Sequence, residues 1–203
     1  MDNLSKQLDF IVELDQLKRV YRQSTVKSDN NRFENSAEHS WHICMAAQVL
    51  QSHVKYPVDI MRVTQMLLIH DIVEIDAGDT FAFAPQEQLD AQFEQEEKAA
   101  KRIFGILPDP QRDFYLGLFN EFEESSTNNA KFAKAIDRIL PLVQNMQNNG
   151  GSWAANKVKR SQVLARNIGL KEVSDSLWNY VENQINKATE NGWLLNETFS
   201  QYF

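Results

Sequence analysis

Apolar residues along this chain recur mostly at three- and four-residue steps, the spacing of helices that bury one face. Leu4, Leu8, Ile11, Leu14, Leu17 and Tyr21 form the first such series and predict an amphipathic helix ending near Arg22 or Gln23. Residues 24–32 are polar and aperiodic and read as a loop. Ser36 then offers an N-cap for a helix over residues 37–53, with His39 in its first turn and Trp41, Met45 and Val49 directed inward. Pro57 and Asp59 open the next helix, whose buried side is Ile60, Val63, Met66, Leu67, His70 and Val73. Residues 80–85 have no helical period and place Phe81 and Phe83 directly after a group of carboxylates, as the rim of a pocket would. Further helices are predicted over residues 87–104, from Asp109-Pro110 through Phe122, and over residues 127–148 with Pro141 as a kink. Asn148-Asn149-Gly150-Gly151 is a break, and two more helices follow over residues 153–167 and 171–190. There is no repeat and no convincing strand. The pattern predicts an all-α bundle of about seven to nine helices. It forms one domain over residues 1–203, in which residues 170–203 pack on the body as a last helix and an aromatic tail.

Composition supports that reading and narrows the partners. A chain of 203 residues can bury a stable core without staples. With 42% hydrophobic and 24% charged residues it has the balance of a soluble globular protein, and seven glycines and five prolines are few enough to favour helices. The net charge of −7 argues against a broad basic groove for a nucleic-acid polymer. It does not argue against a small phosphorylated substrate, because one bound cation can overcome a diffuse acidic surface. The single cysteine, Cys44, excludes an internal disulfide and fits a reducing compartment. No apolar run reaches the ~20 residues that span a bilayer, and Met1-Asp2-Asn3 lacks the basic start of a leader. These features predict a cytoplasmic protein with no membrane partner. Trp178, Tyr180 and Ile185 on the later helices could form a homodimer interface as readily as a core edge.

The chemistry concentrates in residues 67–79. His70 and Asp71 stand together at the end of an apolar run, and Glu74, Asp76 and Asp79 follow within nine residues. Unpaired polar groups are costly in such surroundings, so the cluster asks for a counter-charge, and imidazole with carboxylate suits zinc, iron, manganese or cobalt. On a helix His70 and Asp71 lie about 100° apart, and Glu74 projects toward the same side. Asp79, beyond the turn at Gly78, can fold back over the site. Two ligands bind weakly, so the others must come from elsewhere. His39 is one candidate, and Asp137, the lone acid of residues 132–142, is another.

The order Glu38-His39-Ser40, then His70-Asp71 with Glu74 and Gly78-Asp79, then Asp137 within Lys134-Ala135-Ile136-Asp137-Arg138, closely resembles the HD-domain metal-dependent phosphohydrolases. It is most similar to the branch that contains the bacterial 5′-deoxynucleotidases, and the resemblance covers roughly residues 10–165. That likeness implies an HD-domain helical bundle holding one divalent ion (cobalt, manganese, zinc, iron or nickel) on His39, His70, Asp71 and Asp137. It makes Glu74 the acid that handles the attacking water and Asp79 a second acid beside the leaving group. It matches Arg22 to an arginine on the substrate phosphate, with Arg19 as the alternative. This chain lacks the tryptophan that relatives often carry just after that arginine. Asn145 and Gly150-Gly151-Ser152-Trp153 resemble a segment that closes the pocket. The implied activity is that of a 5′-nucleotidase, hydrolysis of a (deoxy)ribonucleoside 5′-monophosphate to nucleoside and phosphate. The alternatives are hydrolysis of another phosphorylated nucleotide and a non-catalytic nucleotide-binding module.

Overall fold

Capping chemistry sets most element boundaries in the computed structural model, which describes residues 2–196. The Asp2 side chain accepts from the Ser5 amide at 2.7 Å and starts α1 (Asn3–Leu14). This helix tightens into a 3₁₀ turn (Asp15–Arg19), and the chain then extends as β1 (Tyr21–Val26), which pairs antiparallel with β2 (Arg32–Asn35). A reciprocal capping box between Asn35 and Glu38 opens α2 (Ser36–Leu50), and Asp59 caps α3 (Ile60–Ile69). A 3₁₀ turn (His70–Val73) joins α3 to the short α4 (Glu74–Ala77). Next come α5 (Gln86–Phe104), α6 (Asp109–Glu124) and α7 (Asn128–Gln147), the last capped by Thr127. The chain finishes with α8 (Gly151–Ala155), α9 (Arg160–Asn167), α10 (Leu170–Val173) and α11 (Asp175–Glu190). Among the described residues eight helices run eight residues or longer, so the expected all-α bundle is the fold.

Two helices carry the centre. Val63, Met66 and Leu67 of α3 face Ala133, Ile136 and Leu140 of α7, all buried, while α2 contributes Ile43 and Ala47 and α6 contributes Leu118 and Phe122. Because α2, α3 and α7 pack on one another, the end of α3 meets the first turn of α2 and the middle of α7. The convergence matters for function, since these three places carry His70, His39 and Asp137. Helices α9, α10 and α11 also pack on α7.

The structure corrects several expectations. Residues 21–35 form a hairpin rather than the end of a helix and a loop, with its turn at Asn30 and Asn31, both in the left-handed region (φ 51° and 57°). Its polar character misled because its buried side, Ser24 and Glu34, points toward other polar groups instead of an oily core. Trp41, Met45 and Val49 do not face inward; they are 65%, 49% and 69% exposed. A second stripe on α2, His39, Ile43 and Ala47, takes the inner side, where smaller residues let α3 and α7 approach. The helix expected over residues 153–167 is broken at Lys157 (φ 54°), and the one over 171–190 is interrupted at Ser174, which caps α11. Pro141 sits inside an unbroken α7. Of the three residues suggested for an interface, Trp178 and Ile185 are buried in the core, while Tyr180 is 43% exposed. Of the tail, Trp193 packs beside Gly150 and Leu195 bridges to Lys159, while residues 197–203 lie outside the described residues. No helix among the described residues is long and apolar enough to cross a membrane.

Candidate metal centre and active site

His39, His70 and Asp137 come together with ligand atoms all within 4.8 Å of one another, and they are positioned to bind a metal ion. His39 is wholly buried, and its Nε2 lies 3.0 Å from Asp137 Oδ1. His70 donates from Nδ1 to the Leu67 carbonyl at 2.9 Å, which fixes the ring and turns Nε2 toward the cluster. Neither nearby carboxylate meets that Nε2 in hydrogen-bond geometry, although Asp71 Oδ1 is at 2.8 Å and Asp137 Oδ1 at 3.6 Å. A buried imidazole nitrogen left without a directed partner, facing two carboxylates, is what a divalent ion would satisfy. The residues therefore fit the group.

Asp71 stands beside these three rather than among them. Its Oδ2 accepts from Arg22 Nη1 at 2.6 Å, and Arg22 also lies 3.9 Å from Glu74 Oε1. The 3₁₀ turn produces this arrangement, since it winds residues 70–73 more tightly than the continuous helix the spacing suggested. Arg22 reaches in from β1 and lines the cavity, whereas Arg19 is exposed and does not. Glu74 is buried, and its Oε2 accepts from Ser36 Oγ at 2.6 Å. Ser36 is thus spent on an acid instead of the helix cap, which Asn35 supplies. Asp79 follows Gly78 (φ 74°), and Gln92 pins that loop by donating to the Gly78 carbonyl at 2.7 Å and accepting from Thr80 at 2.8 Å.

The fields in this cluster are strong. Burial by itself depresses the pKa of His70, but the Asp71 and Asp137 carboxylates override it and push it up to about 10. Burial would raise Asp71, yet His70 and Arg22 hold it down at about 2. Asp137 is likewise opposed by burial and is kept well below the ordinary carboxylate range by the bond with His39 and by the His70 imidazole beside it. Glu74 goes the other way: burial and the Asp71 charge drive it well above its ordinary value. Burial also dominates at Asp79, with Arg22 offsetting part of the effect, and leaves it at about 6. The acids thus divide into two that stay ionised and two that hold protons readily, the separation expected of structural and proton-transferring carboxylates.

These groups open onto a cavity of about 340 Å³. Phe81 and Phe83 line it, edge to face at 5.5 Å, as the rim expected from sequence, while Trp41 does not reach it. Asn145 accepts from Ser152 at 3.0 Å and closes one end beside the buried Trp153.

Other residues carried little or no signal in the sequence. Glu34, 3% exposed, places Oε2 at 3.5 Å from His39 Nδ1, and its Oε1 accepts from Gln144 at 2.7 Å. The two atoms face each other without meeting in hydrogen-bond geometry, so the carboxylate acts on the imidazole from behind by its charge; its one trace in the sequence was an acid five residues ahead of His39. Lys134 pairs with Glu123 at 2.9 Å and lies over the Phe122 ring, whose edge meets His70. Arg138 donates to the Arg166 carbonyl at 2.9 Å. With both cations engaged elsewhere, Asp137 is left to the histidines.

A sequence model of the HD domain matches residues 14–178, from the end of α1 into α11. The chain belongs to the HD-domain family. A predicted metal-dependent phosphohydrolase of solved structure, from Magnetospirillum magnetotacticum MS-1, is 42% identical, with 95% of each chain covered and a TM-score of 0.88. An HD-domain phosphohydrolase from Listeria innocua, 21% identical with a TM-score of 0.58 over 89% of this chain and 84% of its own, shares the fold. Among curated proteins, the 5′-deoxynucleotidase HDDC2 of Homo sapiens is 30% identical over 139 residues, 68% of this chain. That of Danio rerio is 30% identical over 146 residues, 71% of this chain and 68% of its own. The matched stretch spans 65% of the human protein's length.

Proposed function

We propose that this HD-domain protein is a metal-dependent phosphomonoesterase that releases phosphate from nucleoside 5′-monophosphates, deoxyribonucleotides among them. The observation that carries the reading is the pairing of a His39, His70 and Asp137 metal cluster with two proton-holding acids, Glu74 and Asp79, on one cavity. The 5′-deoxynucleotidases related to it by sequence support the substrate class. The cavity, about 340 Å³, lies near the lower end of the ~300–1,000 Å³ typical of small-molecule sites, which favours a monophosphate over a longer polyphosphate.

In this reading His39, His70 and Asp137 hold the ion, with Asp71 as the fourth ligand on the side of His70. A divalent ion there would acidify a water and neutralise charge on the phosphoryl group. Glu74, steadied by Ser36, would give up its own proton beside a bound ion and could then take that of the attacking water. Asp79, which keeps its proton to higher pH than an ordinary aspartate, gives one to the departing 5′-oxygen. Arg22 holds Asp71 and Glu74 in register. Phe81 and Phe83 supply a face for the base.

Phosphate release by metal-reconstituted protein from nucleoside mono-, di- and triphosphates tests the reading. Activity confined to monophosphates is expected, and Glu74→Gln should retain the metal while losing roughly 10²–10⁴-fold in kcat. Full activity in that variant would remove Glu74 from the mechanism. No release from any nucleotide would leave a binding module.

A further inference from the structure

Four lysine and arginine side chains line the cavity: Arg22, Lys134, Arg138 and Arg166. Three are already occupied. Arg22 is bonded to Asp71 and close to Glu74, Lys134 to Glu123 and the Phe122 ring, and Arg138 to a backbone carbonyl. The guanidinium of Arg166 has no hydrogen bond or ion pair among the described residues. We propose that Arg166 is the cation that receives the phosphoryl group of the substrate, an inference that rests on the phosphomonoesterase reading.

Its placement supports the assignment. Arg166 is the penultimate residue of α9, and its backbone carbonyl accepts the bond from Arg138, the residue directly after Asp137. One short stretch of α7 thus supplies a metal ligand and the tether that holds Arg166 against the same cavity. The charges that act on Arg166 are those of Asp137, Arg138, Arg22 and Asp79, which places it in the field of the metal cluster. Arg166 is an exposed residue that lines the cavity, so a substrate entering there can reach its guanidinium, and no carboxylate is bonded to it. A dianionic phosphoryl group would engage it in a two-pronged, charge-assisted contact. Arg22, by contrast, is committed to two acids that the reaction requires in place, so its first role is to hold them.

The contact would form in substrate complex and product complex alike, so its loss should weaken binding more than turnover. The test compares metal-loaded wild type, Arg166→Met and Arg166→Lys, with elemental analysis to verify equal metal content. Inorganic phosphate is titrated calorimetrically and KM is measured for a nucleoside monophosphate. Arg166→Met should weaken phosphate binding and raise KM by roughly tenfold to a hundredfold, with inhibition by the free nucleoside unchanged and part of the loss recovered in Arg166→Lys. Wild-type values in Arg166→Met overturn the assignment, as does a metal-loaded wild type that binds no inorganic phosphate. If Arg166→Met loses its metal or its fold, Arg166→Gln is read in the same way. A wild type that binds phosphate through Arg166 but hydrolyses no monophosphate would instead sink the phosphomonoesterase reading and leave this one standing.

Discussion

Asp79 and Glu74 show how position alone separates carboxylates of the same chemistry. Asp79 has an ordinary value of 3.8 and stands at about 6 in the fold. Between those values the native state binds more protons than the unfolded state, so stability falls as pH rises through the window and the loss is complete above it. The full shift would correspond to ~3 kcal/mol, but Asp79 remains partly open to water, and screening reduces the expected cost to about 1–2 kcal/mol. In metal-free protein Asp79→Asn should therefore raise Tm by a few degrees at pH 7.5, roughly 3–6 °C, and by little near pH 4. Thermal unfolding in chelator checks this, and a variant no more stable than wild type at pH 7.5 would mean that the anion is compensated. The placement of Asp79 on the cavity was legible because His70, Asp71, Glu74 and Asp79 are close in sequence and share one turn region. Glu34, Ser36 and Arg166 were not legible, since each owes its role to a partner brought up by tertiary packing: His39, Glu74 and the cavity itself.

Between elements, the readable features were those fixed by local chemistry. Caps at Asp59 and Thr127 and the rise of apolar residues along α3 and α7 place those helices from sequence alone. The hairpin and the inner face of α2 depend on what they pack against, and periodicity cannot choose between two apolar stripes on one helix. The turn between α7 and α8 is intermediate. Its glycines marked a break, and the structure shows why glycine is needed: Gly150 has φ 91°, and a Cβ there would come within 2.6 Å of Trp193 Cβ. Gly150→Ala should cost about 2–3 kcal/mol through backbone strain and overpacking, lowering the urea midpoint and altering Trp193 fluorescence. Gly117 is the control, an exposed interior position of α6 where an added methyl would meet nothing within 4 Å, and alanine there should stabilise by about 0.5–1 kcal/mol. Equal effects at both positions would rule out the special role of the Gly150 turn.

At the level of the whole molecule, the metal cluster joins segments far apart in the chain: the start of α2, the end of α3 and the middle of α7, with the hairpin attached through Arg22. In metal-free protein the charge of His70 takes the place of the ion, because Asp71 and Asp137 hold its imidazole protonated to about pH 10. A metal can bind only the neutral ring, so ion and proton compete for the same nitrogen. Asp71 and Asp137 are already ionised at neutral pH and release nothing. Metal uptake at pH 7.5 should therefore release at least one proton, from His70, with any further release coming from Glu74, and apparent affinity should rise at least about tenfold per pH unit as long as the His70 proton must be displaced. Calorimetric titrations in two buffers of different ionisation enthalpy measure the proton directly. Uptake with no proton released would mean that His70 is neutral before the metal arrives, and that some other charge balances Asp71 and Asp137 in the empty cluster.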